Sequence, residues 1–254
     1  MRTQNCGTNF PVPLFKNQTA ITRLIQIYVG AVVFAAKFAR KELKEMKFNC
    51  LLTGVGGEGV LTTQVILARA ANLEGHFVRG IQLHGLAQRG GSLQTMVRFG
   101  TEEKISSPVM RQGDADLVLA FEPLEAARAL DYARQEKTVF VIDEQPLVPI
   151  YSHLLGIPYP TLEEIKKKIE PFAKRTHFVP ASTIAKEEFG DAIFSNTLLL
   201  GVAFGLGALP LKKENIIAAI RISAPRETEK NLGAFERGIT LTLTPQNPNP
   251  QPQH

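Results

Sequence analysis

The sequence predicts an α/β fold, a Rossmann-like, mostly parallel sheet with helices on both faces. Three observations carry this. Short apolar runs of strand length alternate with helix-length segments along most of the chain. One of these runs passes directly into a glycine turn and then a helix, the order of a phosphate-binding βα unit. The chain has 254 residues, 44% of them hydrophobic, enough to bury one full α/β core.

The elements follow in order. Phe48–Thr53 is a short apolar run, as a buried strand would be, and Val60–Leu73 is an apolar, helix-length segment. His76–Leu83 reads as the second strand and Leu93–Phe99 alternates as a third. Asp116–Phe121 reads as a buried strand, after which Pro123 opens a helix to about Gln135, with Glu125 in its first turn. Thr138–Ile142 is another apolar strand. Thr161 with Glu164 three residues later has capping-box spacing for a helix. Phe178–Ala181 reads as an edge strand, because Pro180 cannot donate to a ladder. Helices are expected over Asn196–Leu206, Lys212–Ile222 and Thr228–Leu241. In the first of these, Gly201 and Gly205 stand four apart, which suits close helix packing or a subunit contact.

Two loops hold the candidate site. The turn Gly54-Val55-Gly56-Gly57-Glu58-Gly59 lets the backbone bend tightly and approach a ligand, and the helix after it offers N–H groups and a positive dipole end. A second reading is that the glycines only permit tight strand–helix packing. Against a bound NAD, the second strand carries no acid for the ribose hydroxyls, and Glu58 inside the turn would repel a pyrophosphate. The loop His84-Gly85-Leu86-Ala87-Gln88-Arg89-Gly90-Gly91-Ser92 is too polar and glycine-rich for core. Arg89 beside Gly90-Gly91 could grip a carboxylate or phosphate, Gln88 could orient a carbonyl, and His84 could titrate near neutrality. The competing reading is a structural loop with Arg89 paired to a nearby acid.

Elsewhere, Glu122 and Glu125 flank the end of a parallel strand, as site carboxylates or as charges favoured by a helix N-terminus. Arg226 and Glu229 read as a solvated pair, Lys166-Lys167-Lys168 as a solvated helix face, and His153 and His177 as loop residues. No Ser–His–Asp or Cys–His arrangement stands out.

The net charge of +5 is concentrated at the start of the chain. Residues 1–40 contain five basic residues and no acid, leaving 24 basic residues against 24 acids. Nothing there suggests a nucleic-acid surface. Cys6 and Cys50 fall short of an iron–sulfur framework, and no His or Cys spacing suggests zinc or another metal site. A reducing, cytoplasmic setting fits. Residues 1–45 form an N-terminal extension. Its 13-residue apolar run Leu24–Ala36 is shorter than a membrane span, which takes about twenty residues. It has the length of a signal-peptide core. A third reading is that translation starts at Met46, since Lys41-Glu42 can be encoded by a purine-rich ribosome-binding sequence. The domain is expected over 46–243, and 244–254, rich in Pro, Asn and Gln, is expected to be disordered.

Taken together, the two loops resemble those of the gamma-type domain of 2-oxoacid:ferredoxin oxidoreductases, and within that family the small (beta) subunits of the indolepyruvate branch. The resemblance runs from about Met46 to about Leu241. It includes Ser107-Pro108, Gly113-Asp114-Ala115-Asp116, Phe121-Glu122-Pro123-Leu124-Glu125-Ala126, Tyr159-Pro160 and Asn196 with Leu199-Leu200-Gly201. One departure is Glu58, where the family turn usually has Gln; a Glu58–Gln82 or Glu58–Arg89 contact would reconcile it. The resemblance implies a complex that oxidatively decarboxylates aryl pyruvates with coenzyme A as co-substrate, reducing ferredoxin. It implies that thiamine diphosphate and [4Fe-4S] clusters sit on a large alpha subunit. This chain would be inactive alone, with His84, Gln88, Arg89, Gly90 and Gly91 near coenzyme A or substrate.

Overall fold

A computed structural model describes residues 46–57, 59–85, 90–148, 156 and 158–243. The expectations for residues 1–45 and 244–254, and for His153, lie outside these. The elements are β1 (Lys47–Val55), α1 (Val60–Leu73), β2 (Phe77–His84), β3 (Ser92–Gly100), β4 (Leu117–Ala120), α2 (Pro123–Arg128), β5 (Val139–Asp143), α3 (Leu162–Ile169), β6 (Arg175–Val179), α4 (Ala181–Phe189), α5 (Ser195–Gly205), α6 (Lys213–Ser223) and α7 (Thr228–Leu243).

The strands form one sheet in the order β2-β3-β1-β4-β5-β6. β1, β4, β5 and β6 are parallel neighbours. β3 runs antiparallel to both β1 and β2, so β2 points the same way as β1 and only β3 is reversed. A dinucleotide-binding unit sets its second strand beside the first. Here β3 stands between them. The place where a ribose-binding acid would end the second strand is displaced by one strand from β1, a geometric reason to add to the missing acid.

Alternation along the strands divides the core. Cys50 and Leu52, Leu117 and Leu119, and Val139 and Val141 face one side, where α1 and α4–α7 supply Ile66, Leu67, Ala185, Leu198, Ile216 and Phe235. Leu51, Val118, Ala120, Phe140 and Ile142 face the other, against Ala126 of α2 and Ile165 and Ile169 of α3. Cys50 is fully buried and unbridged, and burial pushes its thiol pKa well up, which makes it inert core.

The N-terminal edge of the sheet is closed by a buried polar lock. Arg98 of β3 is only 6% exposed. Its Nε donates to Asn49 Oδ1 at 2.8 Å and its Nη1 to the carbonyls of Ser107 and Val109. Asn49 in turn donates through Nδ2 to the Asp114 carbonyl and through its backbone N–H to Asp116 Oδ2, both at 2.8 Å. Lys137 pairs with Asp114 at 3.0 Å and Asp116 at 3.1 Å, and Lys47 also pairs with Asp114. Gly113-Asp114-Ala115-Asp116 is therefore a structural clasp. A charged hydrogen bond contributes about 1.5–3 kcal/mol, against about 0–1 kcal/mol for an exposed ion pair such as Lys213–Glu236. Burial of Arg98 and Asp116 carries a desolvation cost that these bonds offset, so the lock fixes geometry, and removing one partner would leave a buried charge unpaired.

Four local expectations are corrected. The helix opened by Pro123 ends at Arg128 and gives way to a 3-10 turn over Leu130–Tyr132. The carbonyls of Asp131 and Tyr132 are taken by the N–H groups of Gly113 and Ala115, which draws the chain away from α-helical bonding. The last strand is Arg175–Val179, so His177 lies on a strand rather than a loop. Pro180 stands at the start of an unexpected helix, Ala181–Phe189, where its missing N–H costs nothing. Glu229 pairs with Arg221 at 3.3 Å rather than with Arg226. The Thr161–Glu164 capping box is present as expected.

The glycines of α5 serve helix packing. A Cβ at Gly201 would overlap the Phe235 carbonyl of α7, one at Gly205 would overlap Thr242 Oγ1, and one at Gly238 of α7 would overlap the Leu198 carbonyl. The two backbones are in direct contact. Gly201→Ala is expected to cost roughly 1–3 kcal/mol or more. It should be read as a lower urea midpoint at unchanged m-value. Gly85→Ala, which meets nothing within 4 Å, should leave the midpoint in place.

Candidate functional site

The C-terminal ends of β1, β2 and β4 and the start of β3 lie at one sheet edge. From there the chain leaves β1 through α1 toward β2 on one side, while β4 pairs on the other. This is the switch point at which α/β sheets place ligands. Both glycine loops meet at this edge. The β1–β3 register pairs Gly54 with Leu93 and Val55 with Ser92. It runs on past the strands, with Gly56 N–H donating to the Gly91 carbonyl at 2.9 Å and Gly90 N–H to the Gly56 carbonyl at 3.2 Å. Gly57, Gly59 and Gly90 have φ of +111°, +78° and +71°, so these corners call for glycine.

A cleft of about 370 Å³ opens between the glycine turn, the first turn of α1 and the ends of β2 and β3. Gly56, Gly57, Gly59, Gly91, Gln82 and His84 line it. Gly59 is the N-cap of α1 and supplies no side-chain cap, and the first turn of α1 contains no acid. Among the described residues no side chain caps this helix end, whose N–H groups suit an electron-rich group. His84 is exposed at the mouth, with Nδ1 3.0 Å from the Gly85 carbonyl. A carbonyl only accepts, so in this contact Nδ1 is the donor. Gln82 donates to Gln64 Oε1 of α1 at 2.9 Å, bracing β2 against the helix. Gly54 lies within β1. Glu58, Gln88 and Arg89 lie outside the described residues, and with them both contacts suggested for Glu58.

The opposite face of the sheet braces the same loops. Ser92 Oγ donates to Glu125 Oε2 at 2.5 Å, and Arg128 also donates to Glu125. Glu122 caps α2 by accepting the Glu125 N–H at 2.8 Å. It also accepts from the Leu147 N–H at 3.3 Å and from the Tyr159 hydroxyl. Both carboxyls are buried, at 1% and 2% exposure. Of the two readings of this pair, the helix N-terminal one holds. Neither carboxyl lines the cleft; Glu125 holds its second loop through Ser92, and Glu122 caps the helix that carries Glu125.

Two side chains carry more than their place in the sequence suggested. Ser92 is the tie from the second loop to α2. Asn196, in the first turn of α5, lies against Gly59, where an added Cβ would overlap its Nδ2. The signal for Asn196 is a carboxamide in the polar head Ser195-Asn196-Thr197 of a helix that is apolar beyond it. Among the described residues, no group of His, Cys, Asp and Glu could hold a metal ion. No described helix is long and apolar enough to cross a membrane.

Burial raises the pKa of Glu122 above the usual 4.5, against the opposing hydrogen bonds from Tyr159, Glu125 and Leu147. A carboxyl raised on folding binds more protons in the native state. Its contribution is therefore complete below the unfolded value and is lost as pH rises through the folded value. The urea midpoint of Glu122→Gln, relative to the unaltered protein, should shift in the variant's favour as pH climbs from about 4 to about 8. Parallel profiles would contradict this.

Comparison with known proteins places the chain. The family model described as pyruvate ferredoxin/flavodoxin oxidoreductase matches residues 49–241. The indolepyruvate oxidoreductase subunit IorB of Thermococcus kodakarensis is 37% identical over 195 residues, 76% of this chain and 95% of the relative. The pyruvate/ketoisovalerate oxidoreductases common subunit gamma of Pyrococcus furiosus is 29% identical, over 78% of this chain and 96% of that one. The crystal structure of a keto/oxoacid ferredoxin oxidoreductase gamma subunit from Geobacter sulfurreducens superposes with a TM-score of 0.54 at 23% identity, covering 77% of this chain and 98% of that one, and shares the fold. The chain belongs to the pyruvate ferredoxin/flavodoxin oxidoreductase family, as a small subunit of a 2-oxoacid:ferredoxin oxidoreductase.

Proposed function

We propose that this chain is the small subunit of a cytoplasmic, coenzyme A-dependent oxidoreductase acting on aryl pyruvates such as indolepyruvate. The complex converts the 2-oxoacid and coenzyme A to an aryl-acetyl-CoA and carbon dioxide, and the two electrons released pass to ferredoxin. The aryl-pyruvate branch is favoured by the higher identity to the indolepyruvate subunit, 37% against 29% for the pyruvate/ketoisovalerate one. The large alpha subunit would carry thiamine diphosphate and the [4Fe-4S] clusters.

One observation carries the assignment of this chain's own part: the cleft where the two glycine loops are hydrogen-bonded together. Its described lining is glycine backbone, the apolar Val60, Leu61 and Leu93, and the polar Gln82, His84 and Ser92, with an uncapped helix start. Such a surface binds and orients. It does not provide the electron sink that decarboxylation of a 2-oxoacid needs, which thiamine diphosphate supplies when bound in the partner. The N–H groups at the start of α1 suit an uncharged acceptor of coenzyme A, a pantetheine carbonyl rather than a phosphate, because Glu58 precedes Gly59 in the chain. His84 would add a hydrogen bond at the mouth, and Gln88 and Arg89, from the same stretch of sequence, are assigned to the same role.

Affinity purification from the native host tests the assembly. A large co-purifying subunit with broad visible iron–sulfur absorption is expected, along with dye reduction that requires both indolepyruvate and coenzyme A. A colourless chain without a partner would sink the reading. In the intact complex, His84→Ala should raise the KM for coenzyme A about tenfold, the scale of one hydrogen bond to a charged group. The KM for the 2-oxoacid should stay unchanged. An unaltered KM for coenzyme A would remove His84 from the site.

A further inference from the structure

Asn196 is 5% exposed and stands in the first turn of α5, whose first nine residues are all buried. Its carboxamide lies against Gly59, the left-handed N-cap of α1, so closely that a Cβ on Gly59 would overlap Nδ2. Gly59 in turn accepts the N–H groups of Thr62 and Thr63 at 3.0 and 3.2 Å, which starts the helix. Gly59 and Asn196 also separate two clefts. The first is the cleft described above; the second, of about 300 Å³, is lined by Thr62, Thr63 and Asn196 among others.

The energetics do not favour a carboxamide here for stability. Asn196 Oδ1 and Thr63 Oγ1 are both buried with no hydrogen-bond partner. An unsatisfied buried polar group costs about 1–3 kcal/mol, and the neighbouring buried Thr197, by contrast, is satisfied by the Phe194 carbonyl and Asn231 Oδ1. A group that weakens the fold while touching a left-handed backbone corner of the site has the character of a functional residue. Its own place is rigid, because α5 is locked backbone-to-backbone onto α7 at Gly201 and Gly238.

We propose that Asn196 is a positioning residue: its carboxamide is the wall that holds Gly59 left-handed, fixes the start of α1 and so sets the shape of the cleft. Gly56 is held from β3 and Gly59 from α5, so the turn is clamped at both ends. The consequence for coenzyme A rests on the functional reading above; the clamp itself does not.

The test uses Asn196→Ala in the full chain and in the complex with its partner, with Asn196→Ser as the smaller deletion should the alanine variant fail to fold. Amide hydrogen exchange reads the clamp without any ligand. Exchange at residues 59–63 should quicken by roughly tenfold or more, with β1 and β4 unchanged. Steady-state kinetics read the consequence: the KM for coenzyme A should rise about tenfold while the KM for the 2-oxoacid holds and the melting temperature does not fall. Unchanged exchange at 59–63 overturns the proposal, whatever the kinetics show. Faster exchange with an unaltered KM for coenzyme A supports the clamp and overturns instead the assignment of coenzyme A to this cleft.

Discussion

The β1–β3 ladder, nine residue pairs from Lys47–Gly100 to Val55–Ser92, sets the register on which both ends of the molecule depend. At one end it brings Arg98 opposite Asn49, and so assembles the buried lock with Asp114 and Asp116. At the other it continues into the Gly56–Gly91 bonds and joins the two glycine loops. A slip of one residue would turn Arg98 into the apolar face and part the loops at once. Structural lock and candidate site are therefore two readouts of one pairing, and β3 is the strand a plain dinucleotide-binding unit does not have beside β1.

Much of this was legible in the sequence. The strand–turn–helix from Phe48 to Leu73 could be read because apolar period and glycine spacing are local signals. The capping box at Thr161 is local in the same way. What could not be read was decided by contacts far apart in the chain. The early end of α2 follows from Gly113 and Ala115 taking the carbonyls of Asp131 and Tyr132. The reversed β3 leaves no mark on its own alternation, since parallel and antiparallel strands share a period of two. Gly113-Asp114-Ala115-Asp116 gave no sign of which sheet edge it would occupy, and it lies at the edge away from the cleft.

The site itself was half legible. Glycines and a histidine in two loops announced a place where backbone could approach a ligand, and the structure brings Gly56, Gly57, Gly59, Gly91 and His84 to one cleft. The supports of that cleft were harder to see. Ser92 is one polar residue among several, and only the fold places it 2.5 Å from Glu125. Asn196 is separated from Gly59 by more than half of the described domain and meets it only because α5 crosses over the end of α1.

These supports come from opposite faces of the sheet. Glu125, on the α2 face, takes the second loop through Ser92. Asn196, on the α5 face, takes the glycine turn through Gly59. The described residues of the two loops form no helix or strand between the elements, and left-handed glycines make each one locally permissive. Tertiary contact has to do what local propensity does elsewhere. Glu122 extends the α2-face support to the loop after β5 through Leu147 and to Tyr159 ahead of α3, at the cost of burying a carboxyl. On the other face the chain of contact runs from the α5–α7 glycines through Asn196 to Gly59. A change at Gly201 or Gly238, remote from any ligand, therefore has a direct mechanical route to the cleft.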